Sequence, residues 1–197
     1  MNDDSVFSKT DFIKPLKIIP LEVTDQSIFS KIEKIEKYDN RYFILDKNQS
    51  RRIYVFDDNG KFLQNIGKLG GGPGEYPEIQ DFTINRKSGD VIIIGSPSDV
   101  YTYSSNGEFK EKKHVSDSYL WSIAWDGCGY LMTSDHWTFH EGEHSFLIYT
   151  FDDSFDCTGK WIHVLPMQPM GIFTNKSVLS HINNTTYYTD FCTNKIY

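Results

Sequence analysis

Apolar residues fall along this chain in short runs separated by polar turns, a spacing that predicts strands rather than helices. The runs also recur. Ile53-Tyr54-Val55-Phe56-Asp57-Asp58-Asn59-Gly60-Lys61-Phe62 returns 47 residues later as Val100-Tyr101-Thr102-Tyr103-Ser104-Ser105-Asn106-Gly107-Glu108-Phe109. Ile148-Tyr149-Thr150-Phe151-Asp152-Asp153 follows 48 residues on, and Ile196-Tyr197 another 48 beyond that. Self-similarity at one period marks an array of like units.

Each unit reads as four strands. Before the repeated tyrosine comes a second apolar run, in turn Tyr42–Asp46, Val91–Gly95, Tyr130–Thr133 and Tyr187–Asp190. Before those lies another, such as Phe82–Ile84 or Ser122–Trp125. Turn residues fill the gaps: Ser88-Gly89-Asp90, Asp126-Gly127 and Asn183-Asn184. Asn59-Gly60 and Asn106-Gly107 predict tight hairpins in which both residues take positive φ. The strand after the second is polar, Glu108-Phe109-Lys110-Glu111-Lys112-Lys113-His114, as befits an outer edge. The spacing of Ile28, Phe29, Ile32 and Ile35 would suit a helix, but register with the later units predicts a strand there.

Four short antiparallel strands per 40–50 residues predict an all-β β-propeller, whose blades become stable by stacking on one another. The expected divisions are an N-terminal segment 1–27 and blades at 28–78, 79–117, 118–170 and, in part, 171–197, about 3.75 blades in all. Ile13–Leu21 is expected to be an outer strand completing the last blade, its prolines tolerable on an edge. That strand count allows a closed four-bladed ring. The preferred expectation is part of a six-bladed propeller, with self-association through apolar end blades.

The string Arg51–Phe62, followed by Ile66-Gly67-Lys68-Leu69-Gly70-Gly71-Gly72-Pro73-Gly74-Glu75-Tyr76, resembles the NHL-type propeller repeat. It is most similar to a six-bladed β-propeller family of Bacteroides-type bacteria whose blades carry a Gly-Pro-Gly-Glu-Tyr connector. The resemblance covers roughly residues 28–197 and implies export to the periplasm or cell surface. The first residues, Met1-Asn2-Asp3-Asp4-Ser5, carry no apolar stretch of a signal peptide, so the sequence by itself leaves the compartment open.

Composition narrows the partners. Aromatics make up 15% of the residues, enough to build a core. No apolar run is long enough for a membrane-spanning helix. The formal net charge of −7 argues against a nucleic-acid backbone as partner, including an RNA-binding reading of the NHL resemblance. Cys128, Cys157 and Cys192 are too widely spaced for a metal-type pair and read as partly buried small residues.

Two stretches hold candidate chemistry. The Gly70–Tyr76 loop lacks the Gly-Lys-Ser/Thr ending of a phosphate loop. It reads either as a sharp blade-to-blade turn or as part of a binding face, with Glu75 and Tyr76 toward the central channel. Asp135-His136-Trp137-Thr138-Phe139-His140-Glu141-Gly142-Glu143-His144 places three histidines at spacings of four. His136, His140 and His144 suit a divalent metal, although the His-Glu-x-x-His spacing is missing and a solvated loop gives the same pattern. Trp137 and Phe139 would suit a sugar ring. Trp121 and Trp125 are expected on one face of an inner strand, as core or channel lining. No catalytic constellation is legible. The expected function is therefore a non-enzymatic scaffold, without a cofactor, that binds a protein or carbohydrate through its loop face. The alternative is a lyase or hydrolase with a metal or carboxylates at the channel mouth.

Overall fold

The computed structural model describes residues 17–134, 145–164, 178–182, 185–190 and 195–196. All of its regular structure is β, in three four-stranded antiparallel sheets and one three-stranded sheet. The first holds β1 (Lys34–Tyr38), β2 (Arg41–Asp46), β3 (Arg52–Asp57) and β4 (Phe62–Ile66). The second holds β5 (Asp81–Ile84), β6 (Val91–Gly95), β7 (Asp99–Tyr103) and β8 (Phe109–His114). The third holds β9 (Leu120–Trp125), β10 (Tyr130–Ser134), β11 (Ser145–Phe151) and β12 (Cys157–Val164). The fourth holds β13 (Val178–Ile182), β14 (Thr185–Asp190) and β15 (Lys195–Ile196). Strand order follows chain order in every sheet. The leading strands β1, β5, β9 and β13 lie side by side in sequence, so the sheets fan around a common axis in a propeller-like arrangement.

Alternation along each strand explains the stacking, because a strand between two neighbouring sheets must be apolar on both faces. Phe43, Leu45, Ile53 and Val55 meet Phe82, Ile84, Val91 and Ile93 between the first two sheets. Ile92, Ile94 and Val100 face the other way, onto Leu120, Ile123, Trp125 and Met132 of the third. Ala124, Leu147 and Ile148 then meet Leu179 and Tyr188 of the fourth. The second sheet is flanked on both sides, and its first three strands are buried at every position. Its outer strand β8 is exposed along nearly its whole length.

The repeated tyrosine has a common task. Tyr54 donates to the carbonyl of Ile28 (2.7 Å), Tyr149 donates to Ser118 Oγ (2.8 Å), and the Tyr101 ring meets Tyr76 edge-on. Each partner sits in the segment that leads into its blade's first strand, so the tyrosine fastens the incoming connector.

The hairpins after that tyrosine depart from the expectation. Gly60 and Gly107 take positive φ (85° and 81°), but Asn59 and Asn106 do not. In each turn an acceptor side chain holds two backbone N–H groups: Asp57 those of Asn59 and Lys61, Ser104 those of Asn106 and Glu108. A bulge follows, at Val55/Phe56 and Thr102/Tyr103. The third unit repeats the pattern with Asp152, yet Phe155 stands where the glycines do, at φ 59°. Its ring stacks on Tyr130 at 4.5 Å, which compensates for the left-handed backbone. Gly107→Ala should cost about 1 kcal/mol from backbone strain alone. Gly60→Ala should cost more, since its new Cβ would meet the Pro20 carbonyl. Thermal unfolding of the two variants checks the order.

Residues 17–30 contain no strand. They lie on the free face of the first sheet, where Leu21 and Phe29 cover Ile44, Tyr54 and Phe56 and the Glu22 N–H donates to the Gly60 carbonyl. A neighbouring blade would occupy that same face. Residues 17–21 of the expected outer strand are thus irregular, and 13–16 lie outside the described residues. The first unit's leading strand begins only at Lys34, so Ile28, Phe29 and Ile32 belong to an irregular approach, while Ile35 lies in the strand as expected.

Candidate functional site

The leading strands carry charge among otherwise apolar residues. Lys34 on β1 reaches across to β5 and β9. Its Nζ donates to both carboxylate oxygens of Asp81 (3.0 and 3.1 Å) and to the carbonyls of Phe82 (2.6 Å) and Ile123 (3.0 Å). Asp81 in turn accepts from the N–H groups of Phe82 and Ile123 and from Ser122 Oγ. Glu36 accepts from the Ile84 N–H and lies 3.6 Å from Lys34. Burial works against the Lys34 ammonium, but Asp81 and then Glu36 outweigh it and hold its pKa above the usual range. Lys34 meets more acceptors than it has protons, so the cluster ties three blades together and is structural.

At the end of the axis where the connectors enter, the residues that open the second and third blades meet the loops between second and third strands of the first and second. Tyr119 and Trp121 pack ring on ring, 4.4 Å apart and tilted by 41°. The Lys47 ammonium stands 5.7 Å over the Trp121 ring. Gln80 Nε2 donates to the Tyr119 hydroxyl (3.2 Å), which donates to Ser96 Oγ (2.9 Å). Gln80 is buried, and its Oε1 accepts no hydrogen bond among the described residues. A buried orphan acceptor costs about 1–3 kcal/mol.

The platform is rigid. Glu33 accepts from the Lys47 N–H and from Asn48 Nδ2, fixing the turn that carries Lys47. Asp46, fully buried, accepts from the N–H groups of Ser30 and Gln49. Burial alone would raise its carboxyl, but these donors prevail and depress its pKa. Burial likewise opposes the Asp99 carboxylate, which Lys112 and His114 hold below the ordinary range. Both carboxyls titrate lower folded than unfolded, so their stabilisation is complete above the unfolded value of about 4 and is lost as pH falls through the folded values. The melting temperature should stay level from neutral pH to about 5 and fall below about 4. Asp46→Asn should lower it at pH 7 and flatten the acid limb.

The sequence candidates distribute unevenly. Glu75 accepts from Lys68 Nζ (2.9 Å) and the Gly72 N–H (3.0 Å), which depress its pKa and fold the glycine loop on itself. The loop lies outward on the second blade's outer strands rather than at the channel: Tyr103 donates to the Gly74 carbonyl, and Phe109 packs beside Gly74. Tyr76 is corrected from a ligand-facing to a core residue. It is 0% exposed between the first two sheets, donates to the Arg51 carbonyl, and burial pushes its phenol pKa up. Trp121 and Trp125 do not share a face. A bulge opposite Thr133/Ser134 leaves Trp121 as the extra residue, while Trp125 stays in the core against Tyr130. Cys128 and Cys157 are exposed, not partly buried. His136, His140, His144, Trp137 and Phe139 lie outside the described residues. The segment that carries them begins after Ser134, which pairs with Leu120 beside Trp121.

A signal for the axial cluster was present in the sequence. Lys34 and Asp81 are 47 residues apart, the repeat period itself, so aligning the units sets opposite charges at one position of successive leading strands. Gln80 and Tyr119 carry no such mark, because what distinguishes them is proximity across blades.

A family model described as "Domain of unknown function (DUF4934)" matches residues 1–197. Among solved structures, the chain is similar to a "Putative exported protein" of Bacteroides fragilis, with a TM-score of 0.70 and 20% identity over 86% of this chain and 48% of that one. It is also similar to a member of the DUF4221 family from Bacteroides vulgatus, with a TM-score of 0.57 and 12% identity over 86% and 54% of the two chains. The chain spans about half the length of these structures. No curated protein matches it.

Proposed function

The chain belongs to the DUF4934 family, and we propose that it is a non-enzymatic β-propeller scaffold that binds carbohydrate at the connector end of its axis. The observation that carries this reading is the half-buried Tyr119–Trp121 ring pair at the connector end, with the Lys47 ammonium over the indole. A sugar offers an apolar ring face for the aromatics and polar hydroxyls for the groups around them, which is the complement of this site. Lys47 and Ser96 add a cation and a hydroxyl at its border. Lys34, Glu36 and Asp81 of the axis are engaged with one another, which favours a scaffold over a catalyst.

The blades belong to a six-bladed ring in this reading, with the face now covered by residues 17–30 turned toward the last blade. The length of the similar Bacteroides chains supports it. The exported neighbour supports a location outside the cytoplasm, where glycans are met.

A carbohydrate microarray probed with the labelled protein tests the reading. Wild-type protein should mark a defined set of glycans, and Trp121→Ala should weaken that signal by at least about tenfold, the loss of one stacking platform with its hydrogen bonds. A blank array, or an unchanged pattern with Trp121→Ala, would refute it.

A further inference from the structure

A second cavity, of about 330 Å³, lies between the leading strands and is lined by residues of β1, β5, β9 and β13 together with Arg86 of the β5–β6 turn. One wall is apolar, formed by Ile35, Ala124, Trp125 and Leu179. The other carries Lys34, Glu36, Thr83, Lys37 and Arg86, the last two at the hairpin end of the axis, away from Trp121.

The two cations are under-used. The Arg86 guanidinium donates through Nη1 to the Lys37 carbonyl, and its nearest carboxylate, Glu36, stands 3.9 Å from Nη2. Glu36 is itself committed to the Ile84 N–H and to Lys34. Lys37 stands over the Tyr42 ring at 5.2 Å and has no carboxylate in ion-pair range among the described residues. By contrast, Lys34, Lys68, Lys110, Lys112 and Lys113 each have a carboxylate within 3.0 Å. In a protein of net charge −7, the lining of this cavity sets three cations, Lys34, Lys37 and Arg86, against the single carboxylate of Glu36.

We propose that this cavity is a second ligand site, taking a small organic carboxylate whose apolar body lies against Ile35, Ala124 and Leu179 and whose head meets Arg86 and Lys37. The planar guanidinium gives a carboxylate a two-point contact, and Lys37 supplies a second charge. The half-exposed Arg86 keeps the head group near water, so desolvation offsets little of the attraction.

The probe is phenylacetate, with phenylacetamide as its uncharged counterpart, read on the full chain by saturation-transfer NMR at pH 7. Phenylacetate should bind and the amide should bind at least about tenfold more weakly, the difference of one charge-assisted contact. Arg86→Gln and Lys37→Gln should each weaken phenylacetate by about tenfold, with unchanged melting temperatures, since both side chains sit at the surface. Trp121→Ala should leave phenylacetate binding untouched, so this site and the carbohydrate site fail or stand separately. Absence of phenylacetate binding at millimolar concentration, equal binding of acid and amide, or indifference to both substitutions would each overturn the proposal.

Discussion

Asp81→Asn is expected to destabilise the fold by about 3 kcal/mol, because it leaves the Lys34 ammonium held between blades with only the more distant Glu36, at 3.6 Å, as counter-charge. On a chain of this size that is a fall on the order of 10 °C in melting temperature. The cost arises from geometry. Asp81 is 8% exposed and accepts from Lys34, Ser122 and two backbone N–H groups, so one carboxylate serves all three complete blades. Asparagine can accept at one oxygen only and presents an NH₂ toward the N–H donors. The double variant Lys34→Met/Asp81→Leu should lose less than Asp81→Asn alone, since it removes the buried charge along with its partner. Thermal and denaturant unfolding of the three proteins checks the order. If Asp81→Asn costs under 1 kcal/mol, the axis is held by apolar stacking alone.

Tyr76→Ala is the second large expectation, at about 3–5 kcal/mol, the usual cost of deleting a buried aromatic ring. Its ring fills the space between the first and second sheets, touching Tyr101 edge-on and Gly67 closely. Tyr76→Phe keeps the ring and loses only the hydroxyl's contacts to the Arg51 and Ile66 carbonyls, so about 1 kcal/mol should go. Denaturant unfolding of the pair separates packing from hydrogen bonding. A ligand-facing tyrosine would give the opposite pattern, with stability unmoved in both variants.

The contrast between Tyr76 and Gln80 shows what the sequence made legible. The repeat gave the strands, their order and the polar outer edge at β8, because period-2 burial and a fixed offset are local properties of the chain. It also held the Lys34–Asp81 pairing, at the repeat offset. Tyr76 lies in the connector that the glycine string predicts, but its side chain turns into the core, because which way a connector residue points depends on the next blade, here Tyr101 and Tyr103. Trp121 was displaced from its alternation by a single bulge that no residue type announces. Phe155 at a glycine position was likewise silent, since its stacking partner Tyr130 lies in another hairpin. Gln80, Tyr119, Ser96 and Lys47 come from three different blades, and only the fan of leading strands assembles them.

The central claim is that carbohydrate binds at Trp121. Its most direct test is the tryptophan indole N–H spectrum of the ¹⁵N-labelled protein, titrated with the strongest glycan from the array. With carbohydrate bound at Trp121, its indole signal should move with ligand while those of Trp125, in the core, and Trp161, on the outer strand β12, stay in place. Movement of Trp137 with Trp121 unmoved would contradict it and transfer the site to the 135–144 segment.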